Sequence, residues 1–163
     1  MDESTRKAMD QALRWLTFRA RSQREMVERL GQKGFTAEVV DLTVSRLGEL
    51  GLLNDSVLAR DMADSRRRGG RGDHRIRQEL RKRGLPTETI SDAMAVPSVD
   101  SGAERAWAAL RKRGDRMKGM ERDRAYRRLH GYLMRQGFGV DETRQALKRY
   151  FSGEPEIGEI IEP

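Results

Sequence analysis

The side chains that could take part in chemistry are mostly arginines, because the usual catalytic and metal-binding sets are missing. The 163-residue chain has two histidines and no cysteine, which excludes disulfides, thiolate zinc sites and a cysteine nucleophile. Neither His74 nor His130 belongs to an H-E-x-x-H pattern, and no carboxylate cluster accompanies either at ligand spacing. The sequence therefore predicts a protein that is not an enzyme and that needs no cofactor or metal ion.

A glycine-rich segment, RRRGGRG at residues 66–72, could suggest a phosphate-binding loop. A P-loop, however, follows a strand and ends in Gly-Lys-Ser/Thr, so that its amides surround the phosphates. Here a predicted helix precedes the segment, and Asp73 and His74 follow it. We therefore interpret the segment as a turn between helices.

The first of two arginine-rich segments, residues 60–83, contains ten basic and four acidic side chains. A glycine-rich turn between short helices can direct several guanidiniums at one extended anion, and each can make paired hydrogen bonds with carboxylate or phosphate. The alternative is a solvated face with cations near helix C-termini. We favour a partner-binding surface, made of Arg66, Arg67, Arg68, Arg71, Arg75, Arg77, Arg81, Lys82 and Arg83.

The second arginine-rich segment, residues 105–128, has ten basic side chains against three acidic ones. Here a solubilising face and a binding surface are equally good interpretations. The candidate secondary basic patch consists of Arg111, Lys112, Arg113, Arg116, Lys118, Arg124, Arg127 and Arg128.

The overall charge supports a polyanionic partner. The net charge is +7 and the sequence pI is about 10.2, which speeds encounter with nucleic acid or with an acidic protein groove. A membrane is a weaker counterpart, because the chain has no apolar run of about 18 residues. No apolar signal segment follows the N-terminal Met, so we expect a cytoplasmic protein.

Apolar residues recur at three- and four-residue steps almost throughout, which predicts helices and no strands. In the first helix the predicted inner face includes Leu13 and Trp15, and in the second it includes Val27. Ser22 and Glu25 have the spacing of a capping box, and Asp141 is the predicted cap of the last helix. Trp15 and Trp107 lie beside apolar neighbours, which favours core packing over stacking on bases.

An internal repeat organises these helices. Gly34, Gly84 and Gly137 are spaced 50 and then 53 residues apart, and a leucine lies four residues before each. A fixed period with matched inner positions is typical of stacked helical units. We predict an all-α fold of three three-helix repeats at residues 1–53, 54–97 and 98–152, followed by a loose acidic tail at 153–163.

Three stretches of this sequence resemble the RecX regulatory family. The most specific is GLLNDSVLA at 51–59, followed by RRGGRG at 67–72 and by IRQEL at 76–80. The segments RARSQREM at 19–26 and YLMRQGF at 132–138 resemble the motifs of the first and third repeats. The resemblance covers nearly all of residues 8–151, with mild departures at Leu58, Arg83 and Thr143.

The resemblance implies three tandem three-helix repeats in an elongated, curved arrangement. It also implies a negative modulator of the RecA recombinase in DNA repair, recombination and the SOS response, inhibiting its recombinase, ATPase and coprotease activities. A monomer would bind the groove of the RecA–DNA filament through the basic surface, with weak, non-specific binding to single- or double-stranded DNA. The alternative is a stand-alone, sequence-nonspecific DNA-binding protein built from helix-turn-helix-like units.

Overall fold

The computed structural model describes residues 2–153, and all regular structure in that range is helical, as predicted. A short 3₁₀ turn, Asp115–Met117, follows the seventh helix. The nine helices are α1 (Glu3–Phe18), α2 (Gln23–Gln32), α3 (Ala37–Glu49), α4 (Asp55–Arg68), α5 (Asp73–Lys82), α6 (Thr87–Ala95), α7 (Gly102–Gly114), α8 (Arg122–Gln136) and α9 (Val140–Ser152). The predicted acidic tail, apart from Gly153, lies outside the described residues.

The described chain forms two compact units. The first contains residues up to 64 together with 77–97, and the second contains residues 65–76 together with those from 98 onward. The chain passes from one unit to the other within α4 and again within α5. This grouping follows spatial contacts, and the repeat boundaries at residues 53 and 97 remain a prediction.

Much of the core of the first unit is built by one stripe of buried residues from each of α1, α2 and α3. Trp15, Met26, Leu30 and Leu47 are buried together, which confirms the predicted core position of Trp15. Two predicted inner residues are wrong: Leu13 is 38% exposed and Val27 is 42% exposed. The buried face of α1 instead follows Thr5, Ala8, Met9, Ala12 and Trp15, so Leu13 falls beside the stripe.

The second unit has its own core, with Leu110, Leu129, Leu133 and Leu147 at its centre. Thr143, which interrupts the apolar repeat pattern, is nevertheless only 1% exposed. Its hydroxyl donates to the sulfur of Met134 at 3.8 Å, which gives this buried polar group a partner. Trp107 is partly buried, with Tyr150 edge-on at 6.3 Å and the guanidinium of Arg149 over its ring.

The predicted cap is confirmed at the start of α2 and is wrong at the start of α9. Ser22 and Glu25 form the predicted capping box, in which each side chain accepts the other residue's backbone N–H. Gly34, Gly84 and Gly137, which we call the anchor glycines of the repeat, all have positive φ, a conformation that suits glycine. The prediction for Asp141 is wrong: α9 begins at Val140, and Glu142 accepts the N–H of the preceding Gly139 at 2.9 Å.

Candidate partner-binding surfaces

The predicted primary surface is divided between the two units. Arg66, Arg67, Arg68, Arg71 and Arg75 belong to the second unit, and Arg77, Arg81, Lys82 and Arg83 belong to the first. We refer to residues 66–75 as the basic turn, since they include the last residues of α4, the glycine loop and the start of α5.

Within the basic turn, Arg66 and Arg68 are exposed, but Arg67 is not. The Arg67 residue is 7% exposed, and its Nε lies 3.4 Å from Oδ1 of Asp73. The same carboxylate oxygen lies 2.7 Å from Nη2 of Arg105, another buried guanidinium. Asp73 therefore neutralises two buried cations, as low-dielectric surroundings require, and it fixes the end of α4 to the start of α5.

The loop of the basic turn is held by backbone contacts. The N–H of Gly72 donates to the carbonyl of Gln136 at 2.8 Å, and the N–H of His74 donates to the carbonyl of Gly137 at 3.1 Å. A Cβ on Gly72 would overlap the backbone of Gly137 and of Phe138. We call these contacts the second joint, to distinguish them from the contacts of Arg83 described below, which form the first joint. The second joint requires a residue without a side chain at position 72.

Two further arginines of the basic turn contribute to the second joint while remaining half-buried. Nη1 of Arg71 donates to the side-chain oxygen of Gln136, and Nη1 of Arg75 donates to the carbonyl of Arg135 at 3.2 Å. Their guanidiniums are thus oriented by the protein itself.

At the other end of α5, Arg81 and Lys82 are exposed, whereas Arg83 is half-buried. Arg83 makes two hydrogen bonds to the carboxylate of Glu25, at 2.9 and 3.0 Å, and one to the carbonyl of Ala20 at 2.8 Å. Its own carbonyl accepts the hydroxyl of Ser22 at 2.5 Å. We call the contacts of Ser22 and Glu25 with Arg83 the first joint.

The charge state of the first joint is set by Glu25. Burial by itself would raise the pKa of this carboxyl group. The hydrogen bonds from Arg83, from Arg19 and from the backbone of Ser22 outweigh burial, and they lower the pKa of Glu25 to about 2. Glu25 is therefore ionised at neutral pH, and the pair with Arg83 is intact.

The predicted secondary patch separates into two places. Four of its arginines line a groove of about 460 Å³. We call it the arginine groove; its lining is Arg113, Met117, Arg124, Arg127, Arg128, Leu129, Tyr132 and Arg135. Arg111, Lys112 and Lys118 line another depression together with Asp115, and the exposed Arg116 lines neither.

Sequence reasoning missed Arg135 and Tyr132 as groove residues. A signal was available, because Arg128, Tyr132 and Arg135 follow one another at four- and three-residue steps and so share a face of α8. It also missed the roles of Glu25, Asp73 and Arg105 as internal partners.

Other candidate chemistry is limited in the described residues. His130 is exposed and stacks against Tyr126, with 6.3 Å between the ring centroids. Residues 2–153 contain no group of three His, Asp or Glu side chains suited to a metal ion. None of the helices in this range has the length and apolar character to cross a membrane.

Comparisons with known proteins identify relatives over most of the chain. Residues 8–47 match the family model described as RecX, first three-helix domain, and residues 54–94 match RecX, second three-helix domain. The regulatory protein RecX of Prosthecochloris aestuarii is 35% identical over 149 residues, covering 90% of this chain and 95% of the relative. The RecX protein of Mycolicibacterium vanbaalenii is 36% identical, covering 84% of this chain and 80% of the relative.

Solved structures agree on the fold. The crystal structure of RecX from Lactobacillus salivarius superposes with a TM-score of 0.78, covering 93% of this chain and 99% of that one, at 18% sequence identity. A second crystal structure, of a regulatory protein RecX, gives a TM-score of 0.76 at 22% identity, covering 90% of this chain and 72% of that one. At these identities the likeness concerns the helical repeat fold.

Proposed function

The chain belongs to the RecX family of regulatory proteins, and from this premise we propose that it is a non-catalytic negative modulator of the RecA recombinase. It would act as a monomer in the cytoplasm, occupying the groove of the RecA–DNA filament and attaching there through its basic residues. Occupation of the groove would inhibit the recombinase, ATPase and coprotease activities of RecA.

The observation that carries this proposal is the way the basic turn presents its charges. Arg66 and Arg68 are exposed on a segment whose loop is fixed by the second joint and by the contacts of Asp73. A preorganised surface loses less conformational entropy on binding than a mobile one does. Guanidiniums carried by a backbone fixed in this way can form multiple charge-assisted hydrogen bonds with carboxylates or phosphates in the groove.

The internal partners divide the predicted surface by role. Arg67 and Arg83 hold Asp73 and Glu25, so we expect them to position the surface rather than to contact the filament. Arg66 and Arg68 of the basic turn, and Arg81 and Lys82 at the end of α5, are the exposed contact candidates. The half-buried Arg71, Arg75 and Arg77 would contribute from the edges of these surfaces.

The test is a RecA ATPase assay on single-stranded DNA, with the protein titrated below and up to RecA stoichiometry. We expect Arg66→Ala/Arg68→Ala to raise the concentration for half-inhibition at least about tenfold, which corresponds to about 1.4 kcal/mol. Alanine preserves helical propensity, so α4 should remain folded. Circular dichroism and a thermal melt would check this.

The matched control is Arg6→Ala/Arg14→Ala, which removes two charges from exposed positions of α1. We expect it to inhibit RecA nearly as well as the parent protein does. Equal inhibition by parent, control and Arg66→Ala/Arg68→Ala would remove the basic turn from the mechanism. Binding that follows DNA and ignores RecA, with a steep salt dependence, would favour the stand-alone DNA-binding alternative.

A further inference from the structure

Arg21, in the link between α1 and α2, is a buried cation without a partner among the described residues. It is 7% exposed, and its Nε is fully buried with no hydrogen bond. Its two Nη atoms are less buried, and they too have no hydrogen bond or ion pair within residues 2–153. The other two arginines buried to this degree in that range, Arg67 and Arg105, share Asp73. Because a buried charge is costly unless it is paired, Arg21 is suited to an anion that the described residues do not supply.

The charges that act on Arg21 are mostly of its own sign. Burial lowers the pKa of Arg21, and the positive charges of Arg19 and Arg29 lower it further. The carboxylate of Glu25 raises this pKa, and the charge of Arg83 lowers it again. Arginine nevertheless stays protonated, because its ordinary pKa is far above neutral. This cluster therefore combines four guanidiniums with one carboxylate.

That carboxylate is already engaged. The oxygens of Glu25 accept hydrogen bonds from Arg83 at 2.9 and 3.0 Å and from Arg19 at 2.9 and 3.4 Å. One of them also accepts the backbone N–H of Ser22 at 3.0 Å. A carboxylate offers about four acceptor sites, so Glu25 has no site left for Arg21.

Arg29 supplies a second guanidinium without a carboxylate partner. It is exposed, and the described part of the chain places no carboxylate within ion-pair distance of it. Its guanidinium lies 4.8 Å from the centre of the ring of the buried Trp15. A cation over an aromatic face is held in place by the ring, and its N–H groups at the edge remain available to an acceptor.

We propose that Arg21 and Arg29 form a binding site for a small dianion of the phosphate class, and we call it the anion site. Free phosphate or a phosphate monoester carries nearly two negative charges near neutral pH and has at least three acceptor oxygens. Such a ligand can accept paired N–H groups from Arg21 and still reach Arg29. A carboxylate or a nucleic-acid phosphodiester carries only one charge and would neutralise less of the cluster. The site requires neither RecA nor DNA, so it goes beyond the proposed function.

The experiment measures thermal melting of the full-length protein by circular dichroism at increasing concentrations of inorganic phosphate. Each sample is compared with potassium chloride of equal ionic strength. The site variant is Arg21→Met, which keeps a long unbranched side chain and removes the charge. The control is Arg14→Met, the same change at an exposed position of α1.

We expect phosphate to raise the melting temperature of the parent and of the control in a saturable way. The rise should be about 4 °C at ten times the dissociation constant, and Arg21→Met should show none. Without phosphate, Arg21→Met should melt no lower than the parent, because an apolar side chain replaces a buried cation that has no partner. Equal rises for the parent and Arg21→Met, or no rise for the parent, would overturn the proposal.

A second variant tests the site without changing a buried residue. Arg29→Ala alters an exposed position of α2 and keeps helical propensity, so it should remain folded. We expect it to raise the phosphate concentration for half of the maximal temperature shift at least about tenfold. An unchanged phosphate dependence of Arg29→Ala would contradict a site made by the two arginines.

Other anions identify the ligand class. A shift that depends on Arg21 with both inorganic phosphate and adenosine monophosphate would indicate a site open to monoesters, and one with inorganic phosphate alone a site for the free ion. If acetate, or an oligothymidylate without terminal phosphates, gives an equal shift that depends on Arg21, the assignment to a phosphate dianion is wrong. Because the assay contains no RecA, its failure would leave the filament proposal standing.

Discussion

The starts of α2 and α5 occupy matching positions in the repeat but are held by different chemistry. Ser22 and Gly72 each lie twelve residues before an anchor glycine, and their partners Arg83 and Gln136 each lie one residue before the next anchor. In the first joint the hydroxyl of Ser22 donates to the carbonyl of Arg83, and in the second the backbone N–H of Gly72 donates to the carbonyl of Gln136.

The anchor glycines show the same contrast. A Cβ on Gly84 would meet the side chain of Arg24, whose Cδ lies 2.8 Å away, whereas a Cβ on Gly137 would overlap the backbone of Arg75. A flexible side chain can move aside, but a packed backbone cannot do so cheaply. The first joint is therefore a side-chain joint that depends on charge, and the second is a backbone joint that depends on close approach.

This difference matters for function because the second joint fixes the basic turn. The exposed Arg66 and Arg68 of that turn precede Gly72, which cannot be replaced without displacing the backbone of Gly137 and Phe138. The first joint, in contrast, uses Arg83 itself as a structural cation. Similar repeat positions thus carry the proposed binding surface in one case and an internal ion pair in the other.

The largest effect on the free energy of unfolding should come from exchanging Ser22 and Gly72, which occupy the matched position in the two joints. We expect Gly72→Ser to lower the free energy of unfolding by about 3 kcal/mol, because its Cβ would overlap backbone atoms. The reciprocal change, Ser22→Gly, should cost about 1 kcal/mol, since it removes one hydroxyl and introduces no overlap. Urea unfolding measures both, and equal costs would abolish the distinction between the joints.

Removing the charge of Asp73 should have the next largest effect. We expect Asp73→Asn to lower the free energy of unfolding by about 2 kcal/mol, because the buried Arg67 and Arg105 would each lose the charge of the Asp73 carboxylate. The control is Asp141→Asn, whose partner Arg144 is exposed and whose loss should cost less than about 0.5 kcal/mol. Indistinguishable melts for the two variants would contradict a structural role for Asp73.

The first joint should show the smaller, pH-dependent effect. The folded-state pKa of Glu25 is depressed to about 2 from its ordinary 4.5, so its carboxylate stabilises the fold above pH 4.5. We expect Glu25→Gln to lower the free energy of unfolding by about 1–2 kcal/mol at neutral pH, after allowance for partial exposure. This difference should shrink as the pH falls from about 4.5 towards 2.

Urea unfolding of parent and variant over that pH range measures the difference. The control is Glu28→Gln, which removes the exposed pair with Arg24 and should show little dependence on pH. A cost for Glu25→Gln that stays constant down to pH 2 would show that the pair with Arg83 carries no net charge effect.

The sequence is sufficient to predict the helices, because the spacing of apolar residues and the anchor glycines depends on nearby positions. It does not reveal the joints, since Ser22 and Arg83 are 61 residues apart and Arg71 and Gln136 are 65 apart. The sequence groups Arg67 with the other basic residues of segment 60–83 as a surface residue, and only the folded turn brings Asp73 to it.

The central claim is that the basic turn contacts RecA in the filament, and the absence of cysteine offers a direct test of it. Ser65→Cys places one thiol beside Arg66 at an exposed position, and Ser45→Cys places one at an exposed position of α3 as a control. With a photoactivatable cross-linker on each thiol, we predict that position 65 captures RecA in RecA–DNA filaments and that position 45 does not. Equal capture from both positions, or none from position 65, would contradict the account.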